Sequence, residues 1–185
     1  MAQDRTRKIV IAGVMGAISA FLGWTHWGFI PWFAGAALTI MHVPVIIGAV
    51  LEGPVVGGAV GLIFGLFSMF QAAVAPTGPT DVWFTNPLLA VLPRLFIGPL
   101  AWLAWNALKR WPIVGLVVAG VVGSLVNTVL VLGMIGVLGY LDWAILPPIA
   151  LANGLPEAGI SAFITLTVVA AWRQIEIGKR KGADL

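Results

Sequence analysis

Residues 112–139 read PIVGLVVAGVVGSLVNTVLVLGMIGVLG, a run of 28 residues that contains no Asp, Glu, Lys or Arg. A helix of about 20 mainly apolar residues is long enough to cross the hydrocarbon core of a bilayer. A helix that is apolar on all faces lies either in the core of a large protein or in a membrane. Because the whole chain has only 185 residues, the stretch predicts an integral membrane protein.

The composition of the remaining chain agrees with this prediction. Hydrophobic residues make up 60% of the sequence and charged residues 9%, and the mean hydropathy is +1.03. A soluble domain carries about a quarter charged residues, so an ordinary water-soluble enzyme is excluded. The absence of cysteine excludes disulfides, zinc-thiolate sites and thiol nucleophiles. We expect one membrane domain over residues 1–185, without a cofactor or a metal.

Six apolar runs are long enough to span, when charges and Pro or Gly clusters are taken as boundaries. They predict an all-α bundle of six transmembrane helices at residues 9–24, 34–51, 54–74, 86–108, 112–139 and 147–172. The first run also fits a secretory signal peptide. It leads into an aromatic loop without a clear small-residue cleavage site, so we expect it to be retained.

Basic residues indicate the orientation, since Lys and Arg in short loops stay on the cytoplasmic side. Nine of the ten are in the flanks of the first and last spans and in the loop after the fourth: Arg5, Arg7, Lys8, Lys109, Arg110, Arg173, Lys179, Arg180 and Lys181. Both termini are therefore expected to be cytoplasmic, in a multi-pass protein of a prokaryotic plasma membrane. These cations flank apolar runs rather than forming one patch, so nucleic acid is not an expected partner.

Ionisable residues inside a span are costly and usually face a cavity or a partner. Arg94 is the only internal base and Glu157 the only internal acid, each roughly 12 Å from the outer end of its helix. Asn86 shares the helix face of Arg94, Asn127 lies on the fifth span, and the sixth span carries a polar stripe of Asn153, Glu157, Ser161 and Thr165. The set predicts either a structural Arg94–Glu157 ion pair or a small-molecule cavity open to the outside.

Small residues form flat strips on two of the spans. Ala12, Gly16 and Ala20 recur at four-residue spacing on the first, with Gly13 and Ala17 beside them, and the third carries Gly57, Gly61 and Gly65. Such strips let helix backbones approach closely, within one chain or between subunits. The spacing alone does not distinguish these two uses.

Several motifs together resemble the substrate-binding subunits of energy-coupling-factor (ECF) vitamin transporters. They are HVPVIIGAVLEGP at 42–54, GLIFGL at 61–66, FTNPL at 84–88, LPR at 92–94, VNT at 126–128 and NGLPEA at 153–158. The resemblance implies a six-helix protein that captures a vitamin from outside and works with a membrane coupling subunit and two ATPase subunits. It also implies that Ala12, Gly16 and Ala20 contact the coupling subunit and that the loop from Trp24 to Phe33 covers the site. No GxxxxGK[ST] phosphate loop occurs, so ATP hydrolysis is left to the partners.

We expect the cargo to be acidic, because the planar guanidinium of Arg94 can donate two parallel hydrogen bonds to a carboxylate. The resemblance is strongest to the pantothenate and folate group. Pantothenate offers a carboxylate to Arg94, and hydroxyl and amide groups to Asn127, Asn153 and Ser161, while Glu157 either neutralises Arg94 or accepts from the cargo. The alternative is a folate-like or hydroxymethylpyrimidine-like ring stacked on an aromatic side chain, for which the candidates are Trp27, Trp32 and Trp83.

Two other function classes have less support in the sequence. An intramembrane enzyme would have to recruit isolated groups such as His26 and His42, and no HExxH or GxSxG motif is present. We expect His42 to hydrogen-bond a neighbouring helix instead. An autonomous secondary carrier usually shows two related halves, and no convincing repeat relates residues 1–92 to 93–185.

Overall fold

The computed structural model describes residues 2–31, 37–76 and 78–174. Seven helices and a two-stranded sheet make up this part of the chain. They are α1 Ala2–Trp24, β1 Phe29–Pro31, β2 Ala37–Thr39, α2 Val43–Glu52, α3 Pro54–Val74, α4 Pro87–Ala90, α5 Leu92–Ala107, α6 Pro112–Val137 and α7 Leu146–Arg173, with a 3-10 helix at Asp81–Thr85.

In the described ranges, five helical segments are long and apolar enough to cross a membrane. These are α1, α3, the α4–α5 pair, α6 and α7, and the sixth apolar helix, α2, is shorter. The protein is therefore a mainly helical membrane bundle, and six apolar helical segments fit the expected arrangement. Cytoplasmic termini stay a prediction.

The second apolar segment is divided between strand and helix. α2 begins only at Val43, and residues 37–39 instead form β2, which pairs antiparallel with β1. Pro44 occupies the first turn of α2. A proline is favoured there, because its missing N–H needs no partner, whereas in a helix interior it would break the ladder. Gly53, with φ of 100°, then separates α2 from α3.

Glycines set the distance between α3 and the α4–α5 pair. A methyl group added at Gly98 would lie 2.5 Å from the backbone of Gly57, and one added at Gly65 would lie 2.8 Å from the carbonyl oxygen of Ala90. The small strip of α3 is thus an internal contact, as close backbone packing requires.

Polar contacts join several helices at the end of the bundle that carries Arg7 and Arg173, here called the terminal end. Arg7 Nη2 lies 2.7 Å from Glu52 Oε1. Arg173 Nη2 donates to the carbonyl of Val50 at 2.8 Å, and its guanidinium carbon lies 5.1 Å from the ring centroid of Trp105. The β1–β2 hairpin lies at the opposite end, the hairpin end.

Candidate substrate-binding site

A cavity of about 340 Å³ opens at the hairpin end. Small-molecule pockets measure roughly 300–1,000 Å³, so this volume suits a small ligand. The cavity lies between the hairpin, the second half of α3, the 3-10 helix, α5, α6 and α7. Its apolar lining includes Phe29, Met41, Phe64, Phe84, Val131, Leu132, Ile135 and Ile149, and its polar lining includes Thr39, Ser68, Gln71, Thr80, Asp81, Arg94, Asn127, Thr128, Asn153 and Glu157.

Arg94 is the buried cation of this cavity, with 6% of its surface exposed. Its Nη1 donates to the carbonyl oxygen of Leu89 at 2.5 Å. The guanidinium carbon lies 4.9 Å from the ring centroid of Phe84 and 5.4 Å from that of Phe64. Nε has no hydrogen-bond partner. The aromatic faces stabilise the charge while leaving guanidinium donors for a ligand.

No carboxylate of the described residues lies within 4.0 Å of the Arg94 guanidinium. Glu157, which is 5% exposed, instead accepts the backbone N–H of Thr39 on its Oε1 at 2.7 Å. The structure therefore places Arg94 and Glu157 in one cavity without an ion pair between them. A buried charge without a counter-ion is costly, so an anionic ligand would stabilise Arg94.

Asn127 and Asn153 place amide groups in the same lining from α6 and α7. Asn127 is 5% exposed, and its Oδ1 has no partner. Buried polar atoms are nearly always paired in folded proteins, so an orphan in a cavity wall is a candidate ligand contact. Neighbouring Thr128 donates instead to the carbonyl of Ser124 at 3.2 Å.

The polar stripe of α7 divides into two parts. Asn153 and Glu157 line the cavity, whereas Ser161 lies among buried residues, where its Oγ is 2.8 Å from His42 Nε2. This confirms that His42 bonds a neighbouring helix. Thr165, one turn further along α7, is fully buried.

Three further predicted contacts that the structure describes, Trp27, Trp83 and Asn86, lie outside the cavity lining. Trp27 is 75% exposed and meets Phe21 edge to face at 6.4 Å, and Trp83 stacks on Tyr140 at 5.3 Å between ring centroids. Asn86 caps α4 by accepting the N–H of Leu88 at 3.0 Å, and its Nδ2 donates to the Tyr140 hydroxyl at 3.3 Å. Trp32 lies outside the described residues.

On α1, Gly16 is buried against Ile63 of α3, where an added methyl group would lie 2.7 Å from the Ile63 Cδ1. Ala12 and Ala20 are half-buried. The adjacent strip, Gly13 and Ala17, is exposed, and no side chain of another element lies within 4 Å of a methyl group placed at Gly13. Contact of Ala12, Gly16 and Ala20 with a coupling subunit stays a prediction.

Sequence reasoning missed the polar lining contributed by α3. Ser68 and Gln71 line the cavity together with Phe64, and Gln71 Nε2 also donates to the carbonyl of Gly23 at 3.0 Å. Their signal was present in the sequence, because two polar side chains three residues apart lie on the same face of a helix, and polar residues inside an apolar span usually face a cavity or another helix. Among the described residues, the aromatic side chains that line the cavity are Phe29, Phe64 and Phe84.

Known proteins share much of this sequence. The sequence profile of the family described as "ECF transporter, substrate-specific component" matches residues 7–169. The pantothenate transporter PanT of Leuconostoc mesenteroides subsp. mesenteroides is 32% identical over 149 residues, covering 76% of this chain and 72% of the relative. The pantothenic acid transporter PanT of Lactococcus lactis subsp. cremoris is 31% identical over 152 residues, covering 72% of this chain and 76% of the relative.

Proposed function

Because the chain belongs to the substrate-specific components of ECF transporters, we propose that it binds a small carboxylate vitamin, pantothenate, in the cavity at its hairpin end. Its family and relatives make it a multi-pass membrane transport protein rather than an enzyme. The names of both relatives support pantothenate as the cargo.

The observation that carries this proposal is Arg94, a buried cation that lines the cavity without a carboxylate partner among the described residues. A guanidinium presents a planar fork of donors that matches a carboxylate, and it keeps its charge at physiological pH. Arg94 is buried beside the rings of Phe64 and Phe84, so a charge-assisted hydrogen bond to it is worth more than one on a water-exposed surface.

The other polar groups of the cavity suit the rest of pantothenate, which carries an amide and two hydroxyl groups. Asn127 offers an unpaired Oδ1 that can accept from a donor, and half-buried Asn153 lies on the facing helix. Leu132 and Ile135 provide an apolar wall for the two methyl groups of the cargo. A few placed polar groups in an apolar cavity give orientation and specificity.

α2 begins at Val43, two residues after Met41, which lines the cavity. The N-terminal end of a helix carries partial positive charge, and broken membrane helices often direct this end toward an anionic substrate. The short α2 therefore favours the same sign of cargo as Arg94.

We expect the chain to act with a membrane coupling subunit and two ATPase subunits, as an ABC-type importer component that tilts to release its cargo inside. The chain lacks a GxxxxGK[ST] phosphate loop, which leaves nucleotide hydrolysis to its partners. The exposed Gly13 and Ala17 strip of α1 offers a flat face for another membrane helix.

The proposal is tested by equilibrium binding to the purified subunit across a panel of vitamins that includes pantothenate, folate, a hydroxymethylpyrimidine and neutral or cationic vitamins. Pantothenate is expected to bind most tightly. Tightest binding of a ligand without an anionic group would overturn the acidic-cargo proposal, and tightest binding of folate would leave the anionic anchor but change the cargo.

A further inference from the structure

One edge of β2 pairs with β1, and the backbone groups on its other edge need partners from elsewhere in the protein. In the antiparallel pair, Phe29 lies opposite Thr39, and the next residue along, Ile40, donates its N–H to the carbonyl of Gly28 at 2.9 Å. Successive N–H groups of a strand point to opposite sides. The N–H of Thr39 therefore points away from β1, and it needs a partner from another element.

That partner is Glu157 of α7. Its Oε1 accepts the Thr39 N–H at 2.7 Å, a contact that joins residues 118 apart in the sequence. A buried backbone N–H without an acceptor is costly, so the side-chain oxygen that pairs with it stabilises the strand in this position. The bond also occurs where Glu157 is 5% exposed, so competition from water is weak.

β2 and its neighbouring residues form one part of the cavity wall. Thr39 and Met41 line it from β2 and the residues after it, and Phe29 lines it from β1. Other hydrogen bonds fix the two ends of the connection between α1 and α2. At its start, Gln71 Nε2 donates to the carbonyl of Gly23, and at its end, Ser19 Oγ donates to the carbonyl of Met41 at 3.1 Å. The Glu157 bond is made to the strand itself.

We infer that Glu157 is a positioning residue that fastens β2 against α7, and that it sets the rates at which cargo enters and leaves the cavity more than the affinity. Oε1 of the carboxylate is already engaged by the Thr39 N–H, so this oxygen is not available to accept a hydrogen bond from the cargo. Movement of β2 away from α7 must break this bond. Cargo exchange and the opening of the strand are thereby linked.

The first test needs no cargo. Leu38 of β2 has an exposed fraction of 0%, and the chain contains no cysteine, so a Leu38→Cys substitution gives one buried thiol whose labelling reports movement of β2. Maleimide labelling of the purified, empty subunit is measured alone and combined with Glu157→Ala or Glu157→Gln. Glutamine keeps a side-chain oxygen acceptor, whereas alanine removes it.

We expect labelling about tenfold faster with Glu157→Ala, the change that corresponds to a loss of about 1.4 kcal/mol in holding the strand. Glu157→Gln should restore most of the protection. The matched control is Thr165→Val, a buried change on the same helix at a hydroxyl with no partner. Equal labelling in the Glu157→Ala and unmodified backgrounds, or equal acceleration by Thr165→Val, would overturn the inference.

The second test rests on the proposed function and uses pantothenate kinetics on the same variants without the cysteine. Glu157→Ala should raise the association and dissociation rate constants together, with a smaller change in Kd, and Glu157→Gln should return both toward the starting values. A lower affinity with an unchanged association rate would instead make Glu157 a simple cargo contact. If pantothenate does not bind the unmodified subunit, the proposed function fails while the labelling test still decides the role of Glu157.

Discussion

Gly61 of α3 packs directly against the backbone carbonyl of Arg94, with no room for a methyl group between them. The same approach continues on either side, where Gly57 meets Gly98 and Gly65 meets Ala90. The three glycines thus allow α3 to pack closely against the helix that carries the buried guanidinium. The position of Arg94 in the cavity depends on residues that never touch a ligand.

Substitution of Gly61 should therefore impair binding. A Gly61→Ala change places its methyl group on the Arg94 carbonyl, which forces α3 and α5 apart and displaces the guanidinium. We expect pantothenate affinity to fall by about tenfold or more, measured by calorimetry on the purified subunit. Gly58→Ala is the control, because its methyl group would lie 4.0 Å from the nearest atom, the carbonyl oxygen of Leu95. An equal loss in both variants would contradict the claim that close packing at Gly61 positions Arg94.

Substitutions in the two small-residue strips of α1 are expected to have different effects. Gly16→Leu inserts bulk against Ile63 and should lower the thermal stability of the subunit itself. Gly13→Leu meets open space, so it should preserve stability and vitamin binding while reducing uptake in cells that contain the whole transporter. Uptake at the unmodified level in the Gly13→Leu variant would exclude this strip as the coupling contact.

Much of the fold follows from elementary sequence patterns. Apolar runs and boundary charges locate α1, α3, α6 and α7, because a bilayer demands long apolar helices. The four-residue spacing on α7 and the lone internal base also single out Glu157 and Arg94, but the amino-acid pattern leaves open whether they pair with each other or line a cavity. The cost of burying polar groups in a membrane makes such residues conspicuous.

The sequence is less informative where tertiary contacts decide the outcome. The stretch before Val43 is as apolar as a helix, yet residues 37–39 pair with β1, which no periodicity reveals. Asn86 resembles a ligand contact by its helix face, but its side chain caps α4 and reaches Tyr140. Trp27 and Trp83 pack on other aromatics, so residue type alone does not select the cavity lining.

The orientation of the bundle gives a separate prediction. Single cysteines at Pro79 and Asp142, both exposed in loops at the hairpin end, should react with a membrane-impermeant maleimide in intact cells. A cysteine at Lys109, exposed at the terminal end, should react only after the cells are permeabilised, since basic loops stay inside. The reverse pattern would place the cavity on the cytoplasmic side.

The sign of the cavity's charge can be tested at Asn127. Asn127→Asp is nearly isosteric and adds an anion to the lining, so it should weaken pantothenate binding by about tenfold or more through repulsion of the carboxylate. Pantothenol, in which a hydroxymethyl group replaces the carboxylate, should lose much less. Equal losses for the two ligands in competition binding would show that the change disturbs packing and not charge.

The most direct measurement compares pantothenate and pantothenol on the unmodified subunit and on Arg94→Gln. A charge-assisted bond contributes about 1.5–3 kcal/mol, so the unmodified protein should prefer pantothenate by roughly 10- to 150-fold. Arg94→Gln should reduce this preference to within about threefold while pantothenol affinity changes little, because only the contact to the carboxylate is removed. A preference that survives in Arg94→Gln, or one that is absent from the unmodified subunit, would contradict Arg94 as the anion anchor.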